Sequence, residues 1–200
     1  AEANGGTKAL SAIAAPLQAA VRQAGAEKRM VVTDIYREPG STRARLDFAI
    51  PLPDVGNHPG PIFVLRGDLA QTLFAGLRAW PIPSASGEAL LVRADGDDVL
   101  YLNDLRHQAD AAARLRRPLS SPDPPAARLL RGDAAPGEVV RGRDYRGVPV
   151  IGVARRVTGT DWILVAKLDL AEARADAVKE VSWIALAATL ALFVAGVAAY

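Results

Sequence analysis

The sequence predicts an α+β chain built on an antiparallel five-stranded sheet with a helical crossing. A partial second α+β lobe precedes that sheet, and an apolar helix able to cross a membrane follows it. Three observations carry this reading. Five runs of strand-like residues fall in the order two, a polar excursion, then three. PIPSASG at 81–87, a Pro/Ser/Gly connector, separates them from an earlier group of helix and strands. Residues 183–200, WIALAATLALFVAGVAAY, carry no charge. As a helix this run reaches about 27 Å, close to the ~30 Å hydrocarbon core of a bilayer.

In chain order, Leu10, Ile13, Leu17 and Val21 recur at helical spacing, so residues 7–24 read as an amphipathic helix, interrupted by Pro16 and ended by Gly25. VVTDIY (31–36), RLDFAI (45–50) and PIFVLR (61–66) read as strands, separated by REPGST and PDVGNHPG. Asp68 is placed to cap a helix with the face Leu69, Leu73, Leu77 and Trp80, and Gln71 at its third position. Beyond the connector, EALLVRA (88–94) and VLYLN (99–103) flank DGDD, where Asp-Gly signals a hairpin. A polar, helical or irregular excursion runs from Arg106 to Gly132. GEVVRGR, VPVIGVARRV and DWILVAKL then supply three strands, with a turn at Tyr145-Arg146-Gly147.

Composition excludes several functions. The 200 residues hold 24 basic and 22 acidic side chains for a net charge of +2, with no basic face, so nucleic acid is not an expected partner. Without cysteine there is no disulfide framework, thiol nucleophile or thiolate metal site. The two histidines, His58 and His107, accompany no nucleophile elbow or orienting acid, and no phosphate-cradling glycine loop is present. No enzymatic activity, metal or cofactor is therefore expected of this segment. Asp95, Asp97 and Asp98 lack the bidentate Glu of a calcium loop and read as a hairpin turn. Arg66-Gly67-Asp68 and Arg131-Gly132-Asp133 repeat an adhesion tripeptide that recurs by chance. The N-terminus, AEANGGTKAL, has no signal-peptide core, and both ends suggest a piece of a longer chain.

Two places draw functional attention. Arg106, His107, Arg114, Arg116 and Arg117 gather in the excursion, and guanidinium groups suit bidentate recognition of carboxylates. With Tyr101 and Tyr145 as amphipathic walls, Arg106, Arg114 and Arg116 are candidate ligands for a small organic acid; a solvated basic face is the plainer reading of the same arginines. The second place is the approach to the membrane. The last strand ends at Leu168, Asp169 suits a helix cap, and Glu172 stands at the reciprocal capping position. From 170 to Ser182 no Gly or Pro interrupts the helix, so a rod is expected to join sheet to span, with Lys167, Asp169 and Glu172 transmitting motion. Within the span, Ala187, Ala191, Ala195 and Ala199 form a small-residue stripe suited to close pairing in a homodimer.

GEALLVRADGDDVLYLNDLR (87–106), DYRGVPV (144–150) and WILVAKLD (162–169) ahead of a membrane helix together resemble a Cache-type, PAS-like extracytoplasmic sensor domain. Such domains serve bacterial transmembrane histidine kinases, diguanylate cyclases and chemoreceptors. The resemblance implies a membrane-proximal lobe at 80–169, a partial distal lobe at 1–79, a signalling helix at 170–182 and a transmembrane helix at 183–200. A complete distal lobe would begin with a long helix and two strands that this sequence lacks. It also implies an inner-membrane protein with a periplasmic sensor, a small-molecule ligand and a cytoplasmic output domain. A ligand-free structural or dimerisation module would share the fold and the anchor; a lined, polar-edged cavity under the 104–132 crossing would separate the two, a solid core there favouring the structural module.

Overall fold

The computed structural model describes residues 13–70, 72–80, 82–121 and 124–175. Leu10, Gln71 and the whole 183–200 run with its alanine stripe lie outside them. Among the described residues no helix is long and apolar enough to cross a membrane. In chain order the elements are α1 (Ala15–Glu27), β1 (Val31–Val32), β2 (Tyr36–Arg37), β3 (Ala44–Pro51), β4 (Ile62–Asp68), α2 (Leu73–Arg78), β5 (Glu88–Asp95), β6 (Asp98–Tyr101), β7 (Arg116–Pro118), α3 (Pro125–Arg131), β8 (Val139–Arg143), β9 (Pro149–Arg156) and β10 (Ile163–Asp169). They gather into two compact units. One comprises residues up to Ala79 with Leu100–Arg116, and the other Trp80–Val99 with the residues from Arg117 on.

The first unit is organised by β3, which pairs with β4 along one side and with β1 and β2 in succession along the other. VVTDIY is thus two short strands rather than one. Tyr36 pairs with Arg45 and Val32 with Phe48, and the chain between them turns inward to bury Ile35. Among the described residues helix α1 begins at Ala15; residues 7–12 of the expected helix lie outside them. Pro16 lies in its first turn, where a missing N–H costs nothing, and Gly25 stays helical while Lys28 takes the left-handed cap at φ 51°. Its buried face is Leu17, Ala20 and Ala24, and the alanines bring the helix close to Val31 and Ala49. Asp68 ends β4 instead of capping α2. Its carboxylate accepts the Ala70 N–H at 3.0 Å in a tight turn, and Leu69 and Phe74 are the buried apolar residues there.

All five expected strands after the connector are present, and a sixth, β7, extends the sheet, whose order is β7-β6-β5-β10-β9-β8. Strand β10 is antiparallel to both β5 and β9. Its inward residues are Ile163, Val165 and Lys167, each at most 1 % exposed. Burying each of the two apolar ones contributes about 1.5–3 kcal/mol; the lysine at the third inward position breaks the pattern. Gly152 of β9 pairs with Lys167, and a Cβ there would stand 3.0 Å from the Ala166 carbonyl oxygen, a tight approach that glycine relieves. Helix α3 buries Ala126, Ala127 and Leu129 and ends at Gly132 in the left-handed conformation. Arg131 forms an ion pair with Asp133 at 2.7 Å and donates to the Leu119 and Ser121 carbonyls, which gives the second adhesion-like tripeptide a local structural role.

Candidate functional site

The inward-facing Lys167 is the centre of a charged cluster in the second unit. Its Nζ lies 2.9 Å from Glu88 Oε2 and 2.8 Å from Asp144 Oδ2, with the Tyr145 ring centroid at 5.3 Å. Glu88 opens β5, Asp144 opens the β8–β9 turn, and Lys167 closes on both from β10. Tyr145 donates its hydroxyl to Glu88 Oε2 at 3.1 Å. Arg146 donates its backbone N–H to Asp144 Oδ1 at 2.9 Å and its Nε to Oδ2 at 2.8 Å, while its Nη2 reaches Asp169 Oδ1 at 2.5 Å. Burial pushes the Asp144 carboxyl up, but hydrogen bonds from Arg146 and Lys167 outweigh it and hold the group below its ordinary value. Gly147, at φ +79°, lets the turn reverse tightly enough for this grip.

The cluster ends where the sheet does. Residues 170–175 are helical, so β10 passes into helix with no intervening loop. The expected capping box is not formed. The Asp169 carboxylate is taken by Arg146, and the Asp169 N–H donates to Ser86 Oγ at 3.0 Å. Glu172 turns away to the 84–86 loop instead. Its Oε1 accepts from Ser84 Oγ at 2.8 Å and the Ala85 N–H at 3.0 Å; its Oε2 accepts from the Ser86 N–H at 2.8 Å and from Ser86 Oγ. These donors, led by the Ser86 and Ser84 hydroxyls, lower the Glu172 carboxyl to about 2 from 4.5. Because the folded value is depressed, the stabilisation is present above pH 4.5 and is lost as pH falls toward 2. Followed by its side-chain carboxyl NMR shift, Glu172 is expected to titrate near pH 2, and an inflection near 4.5 would contradict the four-donor geometry.

The first unit holds a second charged group. Asp47, fully buried on β3, accepts the Tyr36 hydroxyl at 2.6 Å and Arg66 Nε and Nη2 at 3.3 Å. Arg66 continues to Glu38 at 2.5 Å. Burial, followed by the bond to Asp47, pushes the Tyr36 phenol up to about 12. Asp47 Oδ1 is buried with no hydrogen-bond partner among the described residues.

Farther along, Asp110 bridges two arginines, Arg37 at 2.6 Å and Arg114 at 2.5 Å. Those hydrogen bonds, Arg37's first, hold its carboxyl below the usual range. Asp110 and Ala113 both adopt left-handed backbone conformations, at φ 60° and 52°, an uncommon geometry for residues with a Cβ. The residues flanking this turn, Gln108, Ala109 and Asp110 on one side and Arg114, Leu115 and Arg116 on the other, line a cleft of about 360 Å³.

Of the expected ligand-binding residues, Arg114 and Arg116 line this cleft. Arg106 is exposed on the same excursion. Tyr101 is only 2 % exposed, and its side chain belongs to the core. Its backbone supports the cleft loop, accepting from the Ala113 N–H at 2.8 Å and donating to the Leu115 carbonyl at 3.0 Å. Tyr145 belongs to the second unit, in the Lys167 cluster. The sequence reading passed over Asp47, Asp110, Glu88 and the two serines; Asp144 orients Arg146 in its turn, as the sequence suggests. Inward parity within an apolar strand was the available signal for Asp47, as it is for Lys167.

No protein-family description matches the sequence, and no curated protein matches it either. Solved structures do. The ligand-binding domain of the Pseudomonas aeruginosa amino-acid chemoreceptor PctB, in complex with L-Arg, is 22% identical, with 85% of this chain and 64% of that one covered at a TM-score of 0.50. The extracellular domain of the histidine kinase mmHK1S-Z3 is 17% identical, with 79% and 55% covered at a TM-score of 0.52. This chain therefore spans less than two thirds of either. The likeness, together with a two-strand, excursion, three-strand sheet that runs straight into helix, gives the chain the fold of a Cache-type, PAS-like sensor domain.

Proposed function

We propose that the chain is the extracytoplasmic ligand-sensing module of a bacterial membrane-bound signalling protein, and that it passes a conformational change through the helix after β10 to a cytoplasmic output domain. The single observation carrying this reading is the loopless passage from β10 into helix, gripped on one side by Arg146 at Asp169 and on the other by the 84–86 loop at Glu172. Displacing β10 or its charged cluster displaces the helix with it. A ligand that prefers one arrangement shifts the population by its differential affinity, and coupling of about 1–3 kcal/mol is typical of such proteins. The fold is shared with the ligand-binding domain of a chemoreceptor and with the extracellular domain of a histidine kinase, which supports a sensing role for this segment.

A small organic acid or amino acid is the ligand class that the cleft favours. Arg114 and Arg116 offer guanidinium donors, Gln108 an amide and Asp110 a carboxylate for an ammonium group. This polar cleft supports the ligand-bound reading over a ligand-free spacer. The expected result is that at least one member of an amino-acid and small-carboxylate panel raises the melting temperature of the 200-residue chain in detergent, and that Arg114→Ala with Arg116→Ala lowers its affinity tenfold or more. A panel in which no member stabilises the chain would defeat the ligand assignment.

A further inference from the structure

The 84–86 loop has the makings of a receptor in its own right. Two successive backbone N–H groups, of Ala85 and Ser86, and two hydroxyls, of Ser84 and Ser86, converge on one carboxylate. Concave runs of backbone N–H bind anions because the donors are already oriented when the anion arrives. The loop is held in that form from behind. Ser84 Oγ accepts the Gly87 N–H at 2.7 Å and Ser86 Oγ accepts the Asp169 N–H at 3.0 Å. Trp80 sets its far wall, since a Cβ on Gly87 would come within 2.6 Å of the indole. Both hydroxyl oxygens are thus tied to neighbouring backbone as well as to the carboxylate.

We propose that Ser84-Ala85-Ser86 is an oxyanion-binding site whose resident occupant is the Glu172 carboxylate, so that a free oxyanion, a small carboxylate or a phosphate, competes with the seated helix for the same four donors. The consequence follows from linkage. An oxyanion binds the loop only when Glu172 is out, so its binding favours the unseated helix, and seating the helix expels it. Glu172 sits on residues 170–175, directly after β10, which makes this exchange a second input to the junction, separate from the cleft at 108–116.

The experiment titrates acetate, inorganic phosphate and, as an ionic-strength control, chloride into the 200-residue chain in detergent, reading the Ala85 and Ser86 amide NMR shifts. In Glu172→Ala, acetate or phosphate is expected to shift both amides saturably, with an apparent affinity at least tenfold tighter than in the wild type and no matching response to chloride. Adding Ser84→Ala should weaken that binding about tenfold more. The acetate and phosphate arms distinguish a carboxylate site from a phosphate site. Glu172→Gln, whose amide oxygen still fits the loop but carries no charge, is expected to fall between the wild type and Glu172→Ala, and it serves as the test should the alanine variant not fold. The proposal is overturned if both opened variants show no saturable shift at Ala85 and Ser86, or if the wild type responds as strongly as they do.

Discussion

Lys167→Met is expected to destabilise the protein by about 3–5 kcal/mol, the usual cost of stripping one partner from a buried charge group. The lysine is 1 % exposed, and its removal takes the cation from between buried Glu88 and Asp144, with Tyr145, Arg146 and the Val148 N–H among their remaining partners. In a chain of this size that loss lowers the melting temperature by roughly 6–20 °C. The pairing account makes a sharper demand on the double variant. Lys167→Met with Glu88→Leu removes both members of one of the two ion pairs and replaces them with apolar volume, so it should be more stable than the Lys167→Met single variant. Thermal melts of the wild type, both single variants and the double variant check this. A single variant within 1 kcal/mol of wild type, or a double variant as unstable as the sum of both singles, would mean that the cluster is not a coupled unit.

The strands of this cluster were legible because they alternate. Ile163, Val165 and Lys167 share one parity, and a lysine at an inward position of an apolar strand announces a buried partner. Which partner was not legible. Glu88 and Asp144 reach it through the pairing of β10 with β5 and β9, and a sequence does not display strand register across distant segments. Local reading also misjudged the junction for an identifiable reason. Asp169 and Glu172 fit a capping box in spacing, but Ser86, far away in the chain, takes the N–H that the box would use, and Glu172 finds stronger donors in the 84–86 loop. In the excursion, Ala111 and Ala112 are each 1 % exposed, and small buried residues among charged ones gave no periodic signal. The arginines there were visible as a group; the left-handed turns at Asp110 and Ala113 that shape them into a cleft were not. Asp47 was overlooked because its strand, RLDFAI, reads as ordinary alternation with one acid in it.

The second large effect concerns transmission. Asp169→Gly with Glu172→Gly removes the Arg146 contact and the loop contact together, and it adds backbone freedom at two positions where strand becomes helix. The sheet keeps its core, since Ile163, Val165 and their neighbours are untouched. Ligand-driven output from the intact receptor is expected to fall by roughly 5–150-fold in effector response, the range that loss of 1–3 kcal/mol of coupling represents, while ligand affinity at the sensor changes little. Restoring Asp169 alone should recover part of the response, because Arg146 regains its partner.

The joint itself is open to direct measurement, since the chain has no cysteine to interfere with site-specific labels. Spin labels at Arg156→Cys, exposed at the end of β9, and Arg174→Cys, exposed on the helix, report the sheet-to-helix distance by pulsed electron resonance. A single narrow distance distribution in the otherwise native chain, broadened in the Asp169→Gly and Glu172→Gly variant, is the predicted result. A distribution already broad in the native chain, and unchanged by the two glycines, would contradict the rigid joint on which the sensing account rests.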